Sequence, residues 1–212
     1  GIRWRRDAHR FSRSHHRRLR PIRVMGSPAT AWVGGGIGEA PHFAVRSKHL
    51  ALVGDSAFAR SLGVPADRLE GYLYPETYPF YPLLSPEEIA RVMVDPGLRT
   101  FGEEMAKPGA RIGLTLHQLV TLASIVEAEA QIPSERPRIA AVFYNRLREG
   151  MMLQSDPTVV YALGVWRNRV LYRDLDVKSP YNTYRNKGLP PGPICAPGLP
   201  GRAGGDAQAP RE

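Results

Sequence analysis

The stretch Thr115–Glu129, TLHQLVTLASIVEAE, is the most regular part of this 212-residue sequence. Its apolar residues recur at spacings of three and four, which is the period of one face of an α-helix. Thr115 begins the stretch and Gln118 follows three residues later, a pair typical of an N-terminal capping box. The pattern therefore predicts a helix whose apolar stripe consists of Leu116, Leu119, Val120, Ala123 and Val126.

Two glutamates near the end of this helix fall on different faces. At about 100° per residue from Leu116, Glu127 lies at about 20°, inside the apolar stripe, and Glu129 lies at about 220°, towards solvent. Burial disfavours a charged carboxyl and raises its pKa, as a general acid at neutral pH requires. Glu127 is therefore the candidate catalytic residue. The alternative is a structural glutamate in an ion pair with Arg138 or Arg146.

Three further helices are predicted around this one. Ser85-Pro86 begins the first, which we expect to break or bend near Asp95-Pro96. The second spans residues 134–149, and the third runs from Asp156, as N-cap, to Gly164. The inward residues expected for the second helix are Ile139, Val142, Phe143 and Leu147.

Residues 72–81 combine five aromatic residues with interspersed prolines. Proline lacks the backbone N–H that a helix or a central strand requires. This segment is therefore predicted to be extended, or to form an edge strand that displays its tyrosines.

Positive charge is concentrated at the start of the chain. The net charge of the whole sequence is +9, and residues 1–23 hold nine arginines against one acidic residue. We expect three segments: a basic, disordered or non-homologous segment over 1–54, an ordered catalytic region over 55–198, and a disordered tail over 199–212. The basic arm is the feature that favours nucleic-acid binding.

The single cysteine, Cys195, excludes an internal disulfide and a cysteine-based zinc site. The histidines are not spaced as metal ligands, and His117 is expected to be exposed. Neither a membrane-spanning run nor a signal peptide is predicted. No metal is therefore expected.

Two polar loops are candidate binding sites. In residues 153–158, capping explains Asp156 and leaves Gln154 and Ser155 to face a cleft. In residues 179–184, tyrosine rings can stack on sugars while amide and hydroxyl groups bind sugar hydroxyls. A turn-rich loop packed by its own tyrosines fits the same composition. The candidate binding residues of this second loop are Tyr181, Asn182, Thr183 and Tyr184.

Six motifs, in this order along the chain, resemble the YceG/MltG family of bacterial endolytic murein transglycosylases. They are LEGYLYPETY (69–78), LASIVEAE (122–129), AVFYNRL (141–147), LQSDPT (153–158), SPYNTY (179–184) and GLPPGPI (188–194). The resemblance implies an α+β, lysozyme-like and mainly helical catalytic region with short strands and Pro/Gly-rich loops.

The resemblance also implies the reaction, which is endolytic cleavage of the MurNAc–GlcNAc β-1,4 bond of nascent peptidoglycan. A 1,6-anhydro-MurNAc end is left and strand elongation terminates. The C6 hydroxyl of the sugar attacks, so one glutamate acts as acid and then as base, and the usual second carboxylate is not required. The family's catalytic glutamate matches Glu127. Asn145 joins Gln154, Ser155 and residues 181–184 as expected substrate contacts, and no cofactor is implied.

Family members are anchored by an N-terminal membrane helix at the periplasmic face of the bacterial inner membrane. Peptidoglycan strands and cell-wall synthases are the implied partners, and no specific nucleic acid is expected. Residues 1–54 show neither that helix nor the family's LysM-like domain, and the closing segment after residue 198 is replaced. We therefore expect a chain truncated at both ends. Two alternatives stay open: an inactive peptidoglycan-binding fragment, and a basic nucleic-acid-binding protein.

Overall fold

The computed structural model describes residues 22–23, 51–75, 77–78, 84–102, 112–164 and 169–198. Helices dominate these ranges, which confirms the predicted mainly helical character. They are α1 (Ser56–Ser61), α2 (Pro86–Thr100), α3 (Leu116–Glu129), α4 (Arg136–Arg148) and α5 (Asp156–Leu163). Short 3-10 turns cover Pro133–Glu135 and Tyr172–Asp176. An antiparallel pair joins β1 (Ile22–Arg23) to β2 (Thr77–Tyr78).

Polar caps begin the two longest of these helices. The hydroxyl of Ser85 accepts from the backbone N–H of Glu88 at 3.2 Å, and the carboxylate of Glu88 accepts from the N–H of Ser85 at 2.8 Å. Thr115 and Gln118 form the same reciprocal pair at the start of α3. These bonds satisfy N–H groups that the first turn of a helix leaves without partners. Both starts agree with the sequence-based prediction.

The predicted break in α2 is wrong, because the helix continues through Pro96 to Thr100. Proline removes the hydrogen bond that residue 96 would give to the carbonyl of Val92. Val92 lies on the exposed face of α2. On the buried face, the N–H of Tyr74 donates to the carbonyl of Met93 at 3.0 Å. Packing on that face holds the helix together across the proline.

α3 is buried on more than one side, which its amphipathic pattern does not predict. Val120 belongs to an apolar cluster with Tyr72 and Phe101, whereas Ile125 belongs to a second cluster with Phe143. Ile125 lies on the side opposite the predicted stripe and is nevertheless fully buried. α3 is thus the wall shared by both clusters, and its first and last turns keep the exposed positions.

Three tyrosines of residues 72–78 are core residues, so the prediction that they are displayed is wrong, and Tyr81 lies outside the described residues. Tyr72, Tyr74 and Tyr78 are buried, and the Tyr78 hydroxyl donates to the carbonyl of Tyr74 at 2.8 Å. Tyr72 packs edge-on against Phe101 with ring centroids 6.3 Å apart. Large rings fill the space between α2 and α3, and this burial outweighs the polar hydroxyl groups.

α4 contributes a narrower apolar face than predicted. Phe143 is buried, and Ile139 and Leu147 pack partly buried against the second cluster. Val142, which was expected to point inward, is exposed. α4 packs mainly on α3. A narrow row of apolar side chains on α4 is therefore enough to cover that contact.

The N-terminal segment predicted to be disordered contains described structure at two places. Ile22 pairs with Tyr78 and Arg23 pairs with Thr77, and residues 51–53 are helical. At these positions the structure differs from the expected disorder. β2 offers backbone partners to residues 22–23, and buried Val53 accepts from the N–H of Leu69 at 2.9 Å. The predictions for residues 1–21, 24–50 and 199–212 lie outside the described residues.

Within the described ranges, every helix is too short or too polar to cross a bilayer. The longest, α2, has 15 residues and begins with the acidic pair Glu87 and Glu88. A spanning helix needs about 20 mostly apolar residues.

We expect Gly71 to be intolerant of substitution, because a Cβ there would lie 2.4 Å from the Pro193 Cβ. Gly63 is the matched control, since it also has a positive φ and its Cβ would meet no atom within 4 Å. Gly71→Ala should lower the free energy of unfolding by at least about 3 kcal/mol, and Gly63→Ala by about 1 kcal/mol. Urea unfolding measures both, and equal losses would show that Pro193 yields freely.

Candidate active site

Glu127 lies in the last turn of α3, where its side chain is 27% exposed. The Oε1 atom of Glu127 is 2.6 Å from Nη2 of Arg136, the first residue of α4. The ion-pair partners named from the sequence are therefore wrong. Arg138 is exposed, and Arg146 donates to the carbonyl of Leu153. The 3-10 turn before α4 shifts the helix start, which brings residue 136 to Glu127.

The pKa of Glu127 lies above the ordinary carboxyl value, because partial burial penalises its charged form. The guanidinium of Arg136 and the backbone N–H of Gly198 act in the opposite direction and lower this pKa. Partial burial thus favours the neutral carboxyl, whereas two neighbouring groups favour the ionised form. Such a balance suits a group that must both give and take a proton.

Glu129 is exposed, as its position on the helix predicts. It is not simply solvated, however, because its Oε2 accepts a hydrogen bond from the Ser155 hydroxyl at 2.9 Å. Ser155 precedes α5, so this bond ties the end of α3 to the start of α5. The two glutamates therefore have different partners as well as different exposure.

The expected binding residues Ser155 and Thr183 are buried, so their side chains do not line an open surface. The Thr183 hydroxyl accepts from the backbone N–H of Ser155 at 3.0 Å and lies 2.8 Å from the Thr158 hydroxyl. These bonds join the two polar loops. Gln154 is exposed beside them and adopts a positive φ of 53°, unusual for a residue with a Cβ. Gln154 is the member of the first loop that a ligand can reach.

Asn182 is 0% exposed, which corrects the expectation that its amide reaches the glycan. Its Nδ2 donates to the carbonyls of Leu175 at 2.8 Å and Val177 at 2.9 Å. Its Oδ1 accepts from the N–H of Tyr184 at 3.0 Å. All three bonds go to backbone groups of its own loop, because a tight turn leaves these groups without regular partners. The Asn182 side chain is therefore not available to a ligand.

Tyr181 and Tyr184 are half-buried, and Asn145 is exposed on α4. The Tyr184 hydroxyl donates to Oδ1 of Asp156 at 2.6 Å, and burial raises the pKa of Tyr184 to about 12. Asp156 is therefore a partner of Tyr184. The N-cap position of α5 falls on Ser155, which makes no side-chain capping bond.

Glu70 is a buried carboxyl that sequence reasoning passes over. Its side chain accepts from the Tyr161 hydroxyl at 2.6 Å, and its other oxygen is buried without a hydrogen-bond partner among the described residues. Burial raises its pKa above the ordinary value. In the sequence, the signal for a buried Glu70 was its position between the apolar Leu69 and the aromatic Tyr72. Both of these residues are fully buried in the structure.

His117 is half-buried, which corrects the expectation of exposure. Its Nε2 lies 3.0 Å from the carbonyl of Pro191, and its Nδ1 lies 3.0 Å from the Tyr72 hydroxyl. A carbonyl only accepts, so Nε2 carries the proton. In the neutral ring Nδ1 then accepts from Tyr72. The ring thereby fixes the 188–194 loop against the start of α3.

A cleft of about 640 Å³ opens beside this histidine. Tyr181 lies in its wall, and Glu70 forms part of its lining. The Tyr161 and Tyr181 rings pack with centroids 4.6 Å apart, which connects the cleft to the second polar loop. The cleft lining also includes Arg60, Arg68, Pro191, Gly192 and Pro193. Glu127 is not part of this lining.

Cys195 is within electrostatic range of both Glu127 and Glu70. Its thiol donates to the carbonyl of Ser124 at 3.2 Å. Burial raises the pKa of the Cys195 thiol to about 12, with smaller contributions from the negative charges of Glu127 and Glu70. Both carboxyls therefore act on one point of the 194–198 segment. Across the described residues, no three His, Cys, Asp or Glu side chains are grouped to hold a metal ion.

The candidate acid/base group is thus one half-buried carboxyl, Glu127, which has a raised pKa and an arginine partner at the end of α3. The sequence profile of the YceG-like family matches residues 12–201, and this chain belongs to that family. The match begins well before residue 55, the predicted start of the catalytic region.

Two endolytic murein transglycosylases are similar in sequence to part of this chain. The endolytic murein transglycosylase of Bacillus subtilis is 49% identical over 135 residues, and that of Streptococcus pneumoniae strain D39 is 39% identical over 140 residues. Each match covers 62% of this chain, but 36% of the Bacillus protein and 25% of the Streptococcus protein. The chain thus spans about a third or less of these relatives.

A crystal structure of a YceG-like protein from Listeria monocytogenes has a similar fold, with a TM-score of 0.64 and 39% sequence identity. The superposition covers 72% of this chain and 55% of the Listeria chain. The arrangement of helices described above is therefore shared with a solved member of the family.

We expect Asn182→Ala to destabilise the protein, because the carbonyls of Leu175 and Val177 and the N–H of Tyr184 lose their partner. The free energy of unfolding should fall by about 2–4 kcal/mol. Asn145→Ala, at an exposed helix position, should change it by less than about 0.7 kcal/mol. Denaturant unfolding gives both values. An unchanged midpoint for Asn182→Ala would restore the surface-contact interpretation.

Glu70 should make stability depend on pH. Its folded-state pKa lies above the ordinary value of 4.5, so its stabilising contribution is complete below pH 4.5 and is lost as the pH rises through the folded-state pKa. Glu70→Gln keeps an acceptor for Tyr161 and cannot ionise. The difference in melting temperature, variant minus parent, should therefore increase between about pH 4 and pH 7.

The exposed Glu149 provides the control for this measurement. Glu149→Gln removes one exposed carboxyl and so measures the effect of losing a charge at the surface. A difference for Glu70→Gln that grows no more than the difference for Glu149→Gln would contradict the raised pKa of Glu70.

Proposed function

We propose that this chain forms the catalytic region of a peptidoglycan lytic transglycosylase that cleaves the MurNAc–GlcNAc β-1,4 bond endolytically. The products carry 1,6-anhydro-MurNAc ends, and cleavage of nascent strands terminates their elongation. Membership of the YceG-like family and the names of its relatives support the general activity. The observation that carries the proposal is Glu127, a half-buried carboxyl with a raised pKa at the end of α3.

In the proposed reaction Glu127 starts as the neutral acid. It gives its proton to the glycosidic oxygen as the bond from C1 to that oxygen breaks. The C6 hydroxyl of the same MurNAc attacks C1, and the Glu127 carboxylate takes the proton of that hydroxyl. One proton is given and one is taken, so the residue returns to its starting state and no water is consumed. This cycle needs one carboxyl with a pKa near the working pH.

The glycan contacts divide into reachable and buried residues. Gln154 and Asn145 are exposed, and Tyr181 and Tyr184 are half-buried, so we assign the direct contacts to these four. The buried residues hold the loops that carry these contacts. They are Ser155, Asn182 and Thr183.

The place of action that we propose is the periplasmic face of the bacterial inner membrane, on strands made by cell-wall synthases. Nascent peptidoglycan is available there, and the names of the relatives indicate murein as the polymer.

A second candidate function is peptidoglycan binding without turnover. The Glu127–Arg136 ion pair favours this alternative, because the neighbouring cation favours the ionised carboxylate, which has no proton to give. Binding to purified strands without release of anhydro products would support it.

Glu127→Gln should abolish release of anhydro products, because an amide occupies the same space and cannot transfer the proton. We expect a loss of at least about 100-fold in turnover, with the fold intact. Glu129→Gln is the matched control, because its amide oxygen can still accept from Ser155, and it should keep most of the parental rate. Products from purified glycan strands are resolved by mass spectrometry. A near-parental rate for Glu127→Gln would contradict the assignment.

A further inference from the structure

The Arg136 guanidinium contacts Glu127 although this orientation leaves one of its own N–H donors without a partner. Its side chain is 16% exposed, and its Nη2 lies 2.6 Å from the Glu127 Oε1. The Nε of the same guanidinium is buried and has no hydrogen-bond partner among the described residues. An unsatisfied buried donor lowers stability. The side chain is therefore oriented towards Glu127 at the expense of one hydrogen bond.

The backbone around Arg136 is unusually restricted. Pro133 begins the 3-10 turn that ends at Glu135, and Pro137 follows Arg136 in the first turn of α4. Each proline fixes its own φ. Arg136, between them, has the helical backbone angles φ −49° and ψ −46°. The turn and the helix start thus hold Arg136 in place beside the end of α3.

We propose that Arg136 is a positioning residue for the reaction assigned to Glu127. Its guanidinium orients the Glu127 carboxyl and stabilises the carboxylate that forms when the proton passes to the glycosidic oxygen. Arg136 neither gives nor takes a proton in this scheme. The inference rests on the proposed function, in which Glu127 alternates between neutral and ionised forms.

Among the residues that the structure describes, Arg136 is the cation in contact with Glu127, and the other charged groups on the surrounding elements have separate partners or face solvent. Exposed Arg138 lies on the same helix as Arg136. The groups with partners of their own are Glu129 with Ser155, Glu135 with Ile132, Arg146 with Leu153, Asp156 with Tyr184, Glu70 with Tyr161, and Cys195 with Ser124.

The role of Arg136 predicts the direction of a change in the pH profile. The cation favours the ionised form of Glu127 and lowers its pKa. In the proposed reaction the enzyme must start with Glu127 protonated, so activity falls on the alkaline side as Glu127 loses its proton. Removing the cation should raise the pKa of Glu127 and move this alkaline limb to higher pH. It should also lower the maximal rate, because the carboxylate is no longer stabilised.

The experiment compares kcat/KM across pH for the parent chain, Arg136→Gln, Arg136→Lys and the control Arg138→Gln, using release of anhydro products from purified strands. We expect the alkaline limb of Arg136→Gln to move up by about one pH unit or more, with a maximal rate at least about tenfold lower. Arg136→Lys keeps the charge and should keep the position of the limb. Arg138→Gln should match the parent in both respects.

A folded, active Arg136→Gln variant whose limb stays in place would overturn the role of Arg136, as would an equal shift in Arg138→Gln. If Arg136→Gln does not fold, the test rests on Arg136→Lys, which keeps the charge. An alkaline limb of Arg136→Lys that moves as far as expected for loss of the charge would contradict the inference.

A parent chain without turnover would count against the proposed function alone. In that case NMR titration of the Glu127 carboxyl carbon tests the inference directly. An upward shift of the Glu127 pKa in Arg136→Gln supports the pairing, and an unchanged pKa overturns it.

Discussion

The hydroxyl of Ser124 makes the contact on which the site depends. It accepts from the backbone N–H of Ile194 at 3.0 Å and donates to the carbonyl of Thr121 at 2.7 Å, and the side chain is fully buried. One small polar group thus joins the middle of α3 to a segment 70 residues later. This contact brings Cys195 and Gly198 alongside Glu127. A larger side chain at 124 would hold the segment away, and an apolar one would leave the Ile194 N–H without a partner.

The local signals in the sequence predict the helices well. Capping pairs at Ser85 and Thr115, and the glycine after α5, depend on neighbouring residues and therefore appear in the sequence itself. The family resemblance was equally local, because it rests on short motifs. The mainly helical fold and the exposure of Glu129 could be predicted in this way.

The errors arise where distant parts of the chain decide the outcome. The face of Ile125 is covered by residues such as Leu153 and Ile194, which no helical period can reveal. The partner of Glu127 depends on a 3-10 turn that shifts the start of α4 by a fraction of a turn. Asn182 is a residue type that often contacts ligands, but its amide donates to two backbone carbonyls of its own loop. Residue type thus predicts hydrogen-bonding capacity, and only the fold decides which groups use it.

The environment of Cys195 has a practical consequence for spectroscopy. It is the single cysteine of the chain, and burial raises the pKa of its thiol to about 12. Because the thiolate is the reactive form, the Cys195 thiol should react very slowly with maleimides and with thiol-reactive nitroxide reagents at neutral pH. A cysteine introduced at an exposed position such as Gln154 would then take up a fluorophore or spin label selectively. The natural cysteine can remain in place, so movements of the 153–158 loop can be followed without disturbing the Ser124 contact.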